Sequence, residues 1–260
     1  MALNAPGPLA ASYLHQAGAH VTKVEPPTGD PLATVCPGWY EELHQGVAVE
    51  RLDLKNAEGQ ARMCELIGTA DLFLSSQRPA ALRRLQLDPA SLAAQAETRA
   101  ARTLNIVGET ARPEIAGHDL TYLAQAGLLG REIPRTLFAD VMAAERAFST
   151  GLQLLREGPG TAAVVGLFDS LAPLAAIRRH GLTGPGNLLG GALPGYGIYD
   201  AAEGRVAIAA LEPHFRERVY ALLGLPPGSS LVNIMLSRTA TEWEAWGENN
   251  DVPIARCREE

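Results

Sequence analysis

Apolar residues at Leu9, Tyr13, Leu14 and Ala17 recur at helical spacing and stop at Gly18, after which Val21-Thr22-Lys23-Val24-Glu25 has the pattern of a short strand. The alternation then repeats. Arg51-Leu52-Asp53-Leu54 predicts a strand, Asn56 to Thr69 a helix, and Asp71-Leu72-Phe73-Leu74 and Thr103-Leu104-Asn105-Ile106-Val107 two further strands. Short apolar strands separated by helices predict a parallel sheet covered on both faces.

His118 to Gly127 and Asp140 to Gly158 read as two more helices, the second with Val141, Ala144, Phe148, Leu152 and Leu155 on one face. The composition then changes. Gly181 to Gly197 is rich in Gly and Pro with almost no charge, which predicts a connector. Beyond it, Tyr196-Gly197-Ile198-Tyr199-Asp200 and Arg205-Val206-Ala207-Ile208-Ala209 predict a β-hairpin. A helix from Pro213 follows, and Thr239-Ala240-Thr241-Glu242 has the pattern of a capping box opening another. The expected organisation is α/β: a Rossmann-like parallel-sheet large domain over residues 1–180, a linker over 181–195 and a smaller α+β domain over 196–260.

Composition narrows the partners. With 260 residues, 47% of them hydrophobic and 20% charged, the chain can bury a full core. A formal charge of -7 repels a phosphate backbone and no Lys/Arg block offsets it, so no nucleic-acid partner is expected. Cys36, Cys64 and Cys257 are odd in number and widely spaced, which fits a reducing cytoplasm and neither a disulfide framework nor a metal site. No apolar run approaches the eighteen or so residues of a membrane span, and no secretory leader is evident, so no membrane role is expected.

Three stretches carry candidate chemistry: Gly117-His118-Asp119-Leu120-Thr121-Tyr122, Ala139-Asp140-Val141 and Glu212-Pro213-His214-Phe215. Together with Gly7-Pro8, Gly18-Ala19-His20-Val21-Thr22-Lys23-Val24-Glu25-Pro26, Gly29-Asp30, Leu52-Asp53-Leu54-Lys55, Ala70-Asp71 and Arg78-Pro79, in that order, they resemble the family III CoA-transferases, the CaiB/BaiF group. Gly117-His118-Asp119 and Glu212-Pro213-His214-Phe215 point within it to the α-methylacyl-CoA racemases. The resemblance implies an acyl-CoA substrate, no cofactor or metal beyond the CoA moiety of that substrate, and a homodimer. It places CoA contacts at Arg78, Asp119, Lys55 and Lys23.

Racemising the carbon beside a thioester carbonyl requires two proton-transfer groups flanking that carbon. His118 and Asp140 are the candidates, one taking the proton while the other donates, with Glu212 fixing the imidazole tautomer and stabilising the imidazolium. If His118-Asp119 opens a helix, the Asp119 backbone N–H is the expected donor to the enolate oxygen. A transferase uses the same Asp140 as a nucleophile, through an acyl anhydride and an aspartyl-CoA thioester. His118 and Glu212 favour proton transfer. A third reading is a degenerate acyl-CoA-binding homologue without turnover.

Plainer roles exist for each residue. Histidines at helix starts are often caps, Asp140 is also a normal first-turn acid, Arg78 is also a solvated loop cation, and Lys23 and Lys55 are also strand-end lysines facing water. Asp169 reads as a cap or a hydrogen-bonded acid, and His214 as a helix-surface residue. The sequence departs from the family pattern as well. The family's opening strand has no counterpart ahead of Gly7-Pro8, and the chain stops at Arg256-Cys257-Arg258-Glu259-Glu260, so it reads as shortened at both ends. Val107 to Pro113 stands where a glycine-rich loop is expected, Val141-Met142-Ala143-Ala144 where glycines are expected, and Pro26 where a basic CoA contact is expected.

Overall fold

The structure is a computed structural model describing residues 1–98 and 100–258. It divides into two compact units, Met1–Ala175 and Ala176–Glu260.

In the first unit, helix α1 (Pro6–Gln16) leads through Gly18 to strand β1 (Thr22–Glu25), short helices α2 (Leu32–Val35) and α3 (Pro37–Leu43), and strand β2 (Ala48–Arg51). Gly18 has φ of +100°, a conformation that favours glycine, and so ends the helix as expected. The second strand lies three residues earlier than the predicted 51–54. Its residues are mostly exposed and give no apolar signal, while Asp53 Oδ1 accepts the Lys55 N–H at 3.0 Å and turns the chain toward the next helix. That helix, α4 (Ala57–Thr69), is capped by Asn56, whose side chain accepts the Gly59 N–H at 2.8 Å.

Strand β3 (Leu72–Ser75), helices α5 (Pro79–Arg84) and α6 (Pro89–Ala94), strand β4 (Arg102–Val107), helices α7 (Asp119–Gln125) and α8 (Phe138–Arg156), strand β5 (Ala162–Gly166) and helices α9 (Leu167–Ser170) and α10 (Ala172–Arg179) follow. The unit boundary falls inside α10. The parallel strands form two sheets rather than one continuous sheet: β1 pairs with β2, and β3-β4-β5 pair in that order. One core surrounds α8, where Ala139, Ala143, Ala144 and Ala147 are fully buried beside Ala10, Leu104, Leu123 and Leu171. Alanine's small side chain lets these backbones approach closely. Ala143 and Ala144, at the positions where glycines were expected, are therefore packed inside rather than along an open path. A second core joins Val24, Met63, Ile67 and Phe73.

In the second unit, the linker region contains a distorted π-helical turn at Leu188–Ala192. Strands β6 (Tyr196–Asp200) and β7 (Arg205–Ala209) form the expected hairpin, and β8 (Ile254–Arg256), which the sequence pattern did not reveal, adds to β7 antiparallel. Helices α11 (Pro213–Leu223), α12 (Val232–Met235) and α13 (Ala240–Asn250) cover this sheet around the fully buried Trp243. Thr239 and Glu242 form the expected capping box, with Glu242 N–H donating to Thr239 Oγ1 at 3.2 Å and Thr239 N–H to Glu242 Oε2 at 2.8 Å. Among the described residues, no helix is long and apolar enough to cross a membrane, and Cys36, Cys64 and Cys257 are free thiols.

Candidate active site

Strand β4 delivers the chain at Val107 to a loop that begins with Gly108 and ends with Gly117. The loop is held compact by Asp169: its two carboxylate oxygens accept the Thr110 N–H and the Thr110 hydroxyl, each at 2.8 Å. Asp169 is thus a half-buried, hydrogen-bonded structural acid. Gly108 and Gly117 flank the buried Tyr122 ring so closely that a Cβ at Gly108 would stand 2.0 Å from the Tyr122 hydroxyl, and one at Gly117 2.4 Å from the ring. Their missing side chains make the space that Tyr122 fills.

His118 caps α7 with extended backbone and an exposed side chain; its N–H donates to Thr121 Oγ1 at 3.0 Å. Asp119, the next residue, is buried. Its Oδ1 accepts the N–H of Ala139 at 2.5 Å and that of Asp140 at 3.3 Å, so it caps α8 from outside that helix. The turn carrying His118 and the first turn of α8 carrying Asp140 are therefore joined through Asp119, beside the loop that leaves the carboxyl end of β4. That end is where open parallel sheets bind ligands.

Asp140 is half-buried, and its carboxyl is pushed up to about 6, first by burial and second by the charge of Asp119. The positive end of α8 favours an anion, but desolvation outweighs it. The Tyr122 hydroxyl is held above its ordinary range by burial, then by the charges of Glu109 and Asp140, with Arg78 opposing. Arg78 is exposed at the start of α5, one residue after Gln77, whose carbonyl accepts from Asn105 of β4 at 3.1 Å. Asp140, Tyr122, Glu109 and Arg78 thus form one electrostatic neighbourhood. Tyr122 and Glu109 were not among the sequence candidates. The available signal for Tyr122 was its place in the Gly117-His118-Asp119-Leu120-Thr121-Tyr122 stretch, one helical turn after the N-cap His118.

Lys23 lies elsewhere, buried in β1, where Nζ pairs with Asp30 Oδ2 at 2.6 Å and Glu25 Oε1 at 3.0 Å and stands 2.8 Å from His44 Nε2. An ammonium committed to two buried carboxylates neither faces water nor reaches a phosphate in solvent, which corrects both sequence readings of Lys23. Lys55 is exposed in the turn before α4. Glu212 belongs to the second unit, where it is the exposed N-cap residue of α11, its side chain free of the cap bond. His214 is exposed as expected, its ring against Phe215 at 4.1 Å.

The sequence pattern described by the CoA-transferase family III model matches residues 1–259. The chain belongs to CoA-transferase family III. Among relatives within this family, a CaiB/baiF CoA-transferase family protein of Caenorhabditis elegans is 25% identical over 252 residues, covering 88% of this chain and 72% of the relative. The human alpha-methylacyl-CoA racemase is 29% identical over 245 residues, 85% of this chain and 62% of its own length. This family III chain therefore spans less than two thirds of the human relative. In fold it is similar to the crystal structure of the hypothetical protein Rv3272 from Mycobacterium tuberculosis, with a TM-score of 0.83 and 22% identity over 99% of this chain and 81% of the other.

Proposed function

We propose that this family III chain acts as an α-methylacyl-CoA racemase-like enzyme, moving a proton at the α-carbon of an acyl-CoA thioester. One observation carries the reading: Asp140 is half-buried with a carboxyl titrating near 6, on a helix turn tied to that of His118. A group that titrates near the working pH serves as acid and as base. In the proposed reaction the neutral His118 imidazole removes the α-proton and the electron pair of the broken C–H bond passes to the thioester oxygen. The protonated Asp140 then delivers a proton to the opposite face as the enolate collapses, and the roles reverse for the other enantiomer. The Asp119 N–H is the proposed donor to the enolate oxygen, and Arg78 and Lys55 are the proposed CoA phosphate contacts. Nothing beyond the CoA moiety of the substrate enters these steps.

The decisive experiment incubates the protein with a 2-methylacyl-CoA in deuterated water. Deuterium at the α-carbon by mass spectrometry is the expected result. Transfer of CoA to an added carboxylic acid without α-deuteration selects the second reading, a transferase in which Asp140 is the nucleophile; the family's own description favours that reading next. Binding of acyl-CoA with neither reaction selects a catalytically silent homologue. A homodimer is proposed with the enzyme, and sedimentation velocity over a broad concentration series reads it directly.

A further inference from the structure

Tyr40 and His44 tie helix α3 to strand β1. The Tyr40 hydroxyl donates to Glu25 Oε1 at 2.7 Å, and the ring of His44, the residue that ends the helix, stacks on that of Tyr40 at 4.0 Å and lies against Lys23. Both ring nitrogens of His44 meet groups of fixed polarity. Nδ1 stands 2.5 Å from the Tyr40 carbonyl oxygen, which only accepts, so Nδ1 carries a hydrogen. Nε2 stands 2.8 Å from the Lys23 ammonium, which only donates, so Nε2 offers a lone pair. That ammonium is held between Asp30 Oδ2 at 2.6 Å and Glu25 Oε1 at 3.0 Å. His44 is therefore a neutral imidazole with its hydrogen on Nδ1.

A second proton on this ring sets two donors and two positive charges against each other at 2.8 Å, with no acceptor between them. One partner has to leave, and the structure makes it the histidine. Lys23 is buried, and the Asp30 carboxylate that holds it is itself fixed, since its Oδ1 accepts the Leu32 N–H at 2.9 Å. His44 is half-buried and is followed by the exposed Gln45 and Gly46, the latter with φ of +79°. Helix α3 also covers the core around α8: its Leu43 is buried there with Leu9 and Ala10, and Trp39 and Tyr40 pack against it.

We propose that His44 is an acid-released latch: neutral, it accepts from Lys23 and holds the end of α3 on β1; protonated, it is expelled from Lys23 and frees the turn of residues 44–47 that joins α3 to β2. One proton from solvent goes to Nε2, the Lys23–His44 hydrogen bond breaks, and Lys23 keeps Asp30 and Glu25. The surrounding groups act in both directions. Burial, and with it the charge of Lys23, disfavours the imidazolium, while the Tyr40 carbonyl of α3, Glu25 of β1 and Asp30 of the following loop favour it; the balance holds His44 below the ordinary histidine range. Arg51 of β2 draws on the same Glu25 at 3.9 Å, and Lys23 also repels the Met1 amino group. From α1, His15 lies beside the turn, where a Cβ at Gly46 would stand 2.7 Å from its Nε2. Because the unfolded chain takes up the His44 proton more readily than the folded one, the latch contributes stability that is fully present above about 6.5 and is lost as pH falls through the lower folded value.

NMR of the full chain tests this at two levels. The ring nitrogen shifts of His44 should report the neutral Nδ1–H tautomer at pH 7.5. Amide exchange at residues 44 and 47, whose N–H groups donate to the Tyr40 and His44 carbonyls, should accelerate about tenfold or more between pH 7.5 and pH 4.5 beyond the intrinsic change with pH, while the Leu104 and Ile106 amides of β4 keep their protection. His44→Gln offers Lys23 an oxygen acceptor that does not titrate, and it should abolish the acceleration. An Nε2–H tautomer at pH 7.5 overturns the proposal. So does equal acceleration in the wild type and His44→Gln, which reassigns the acid response to Glu25, Asp30, His15 or the Met1 amino group. Should the Gln variant fail to fold, the wild type alone decides: opening of the turn has to follow the titration of the His44 ring, and two different midpoints reject the latch.

Discussion

Asp119 Oδ1 accepts the backbone N–H of Ala139 at 2.5 Å, so the residue directly after His118 closes the end of the helix that begins with Phe138 and carries Asp140. The same carboxylate reaches the N–H of Asp140 at 3.3 Å and raises that residue's pKa through its charge. One side chain both helps to fix where Asp140 sits and adds to the burial that raises its pKa.

These two effects separate on mutation. Asp119→Asn keeps an oxygen acceptor for the Ala139 N–H and removes the charge, so the Asp140 carboxyl should fall below about 6 toward the ordinary range. With the enantiomer for which Asp140 is the base, the acid limb of the exchange rate then moves to lower pH, with little loss of stability. Asp119→Ala also removes the cap and should cost about 1 kcal/mol in urea unfolding. NMR titration of Asp140 in the Asn variant is the direct check, and an unmoved midpoint would show that burial alone sets it.

The raised carboxyl also makes stability depend on pH. The folded state holds the Asp140 proton to about 6, the unfolded chain only to about 3.9, so folding binds protons between these values. The stabilisation is fully present below about 3.9 and is lost as pH rises through about 6, leaving the ionised form about 3 kcal/mol less stable. Asp140→Asn mimics the protonated acid. It should match the wild type near pH 4 and exceed it by up to about 3 kcal/mol at pH 7.5, measured as urea midpoints at both pH values. A variant no more stable than wild type at pH 7.5 rejects the raised pKa.

Gly108 and Gly117 make a paired test around Tyr122. A Cβ at Gly108 meets the hydroxyl first, at 2.0 Å, with the ring carbon bearing it at 3.1 Å, whereas a Cβ at Gly117 meets ring carbons at 2.4 and 2.6 Å as well as the hydroxyl. Each Gly→Ala change should therefore destabilise by about 1–3 kcal/mol through overpacking. Adding Tyr122→Phe should recover most of the loss for Gly108→Ala and little of it for Gly117→Ala. Equal rescue of both, in thermal unfolding of the two double variants, contradicts this packing.

The elements that carry their own apolar signal were legible in the sequence: the period of α1, the Leu72–Leu74 and Thr103–Val107 strands, the hairpin of Tyr196 to Ala209 and the Thr239–Glu242 cap. Strand β2 was misplaced because its exposed Ala-Val-Glu-Arg run has no inward face to mark it, and β8 was missed because three residues are too few for a period. His118 and Asp140 were readable as candidates, yet their connection was not. It runs through the Asp119 side chain to the backbone of another helix, a contact that no local pattern encodes. Lys23 was misread because Asp30 reaches it only when the chain turns at Gly29, where φ is +80°, although Glu25, two positions on in the same strand, lay within local reach.

That burial gives the last prediction its contrast. The Lys23 ammonium lies between Glu25 and Asp30, 4.9 Å over the Tyr40 ring, with the Tyr40 hydroxyl donating to Glu25 at 2.7 Å. Burial first, and then the bond to Glu25, push that hydroxyl up to about 12. Lys23→Met leaves two carboxylates buried without their cation and should destabilise by about 3–5 kcal/mol, whereas the exposed Lys55→Ala should stay within about 0.5 kcal/mol of wild type. Neutralising all three members at once, as Lys23→Met with Glu25→Gln and Asp30→Asn, should recover a large part of the loss, because the stranded charges and not the missing lysine are what destabilise. Urea unfolding of the three proteins separates the cases: a triple variant as unstable as Lys23→Met shows that the lysine stem, packed in β1, matters more than its charge.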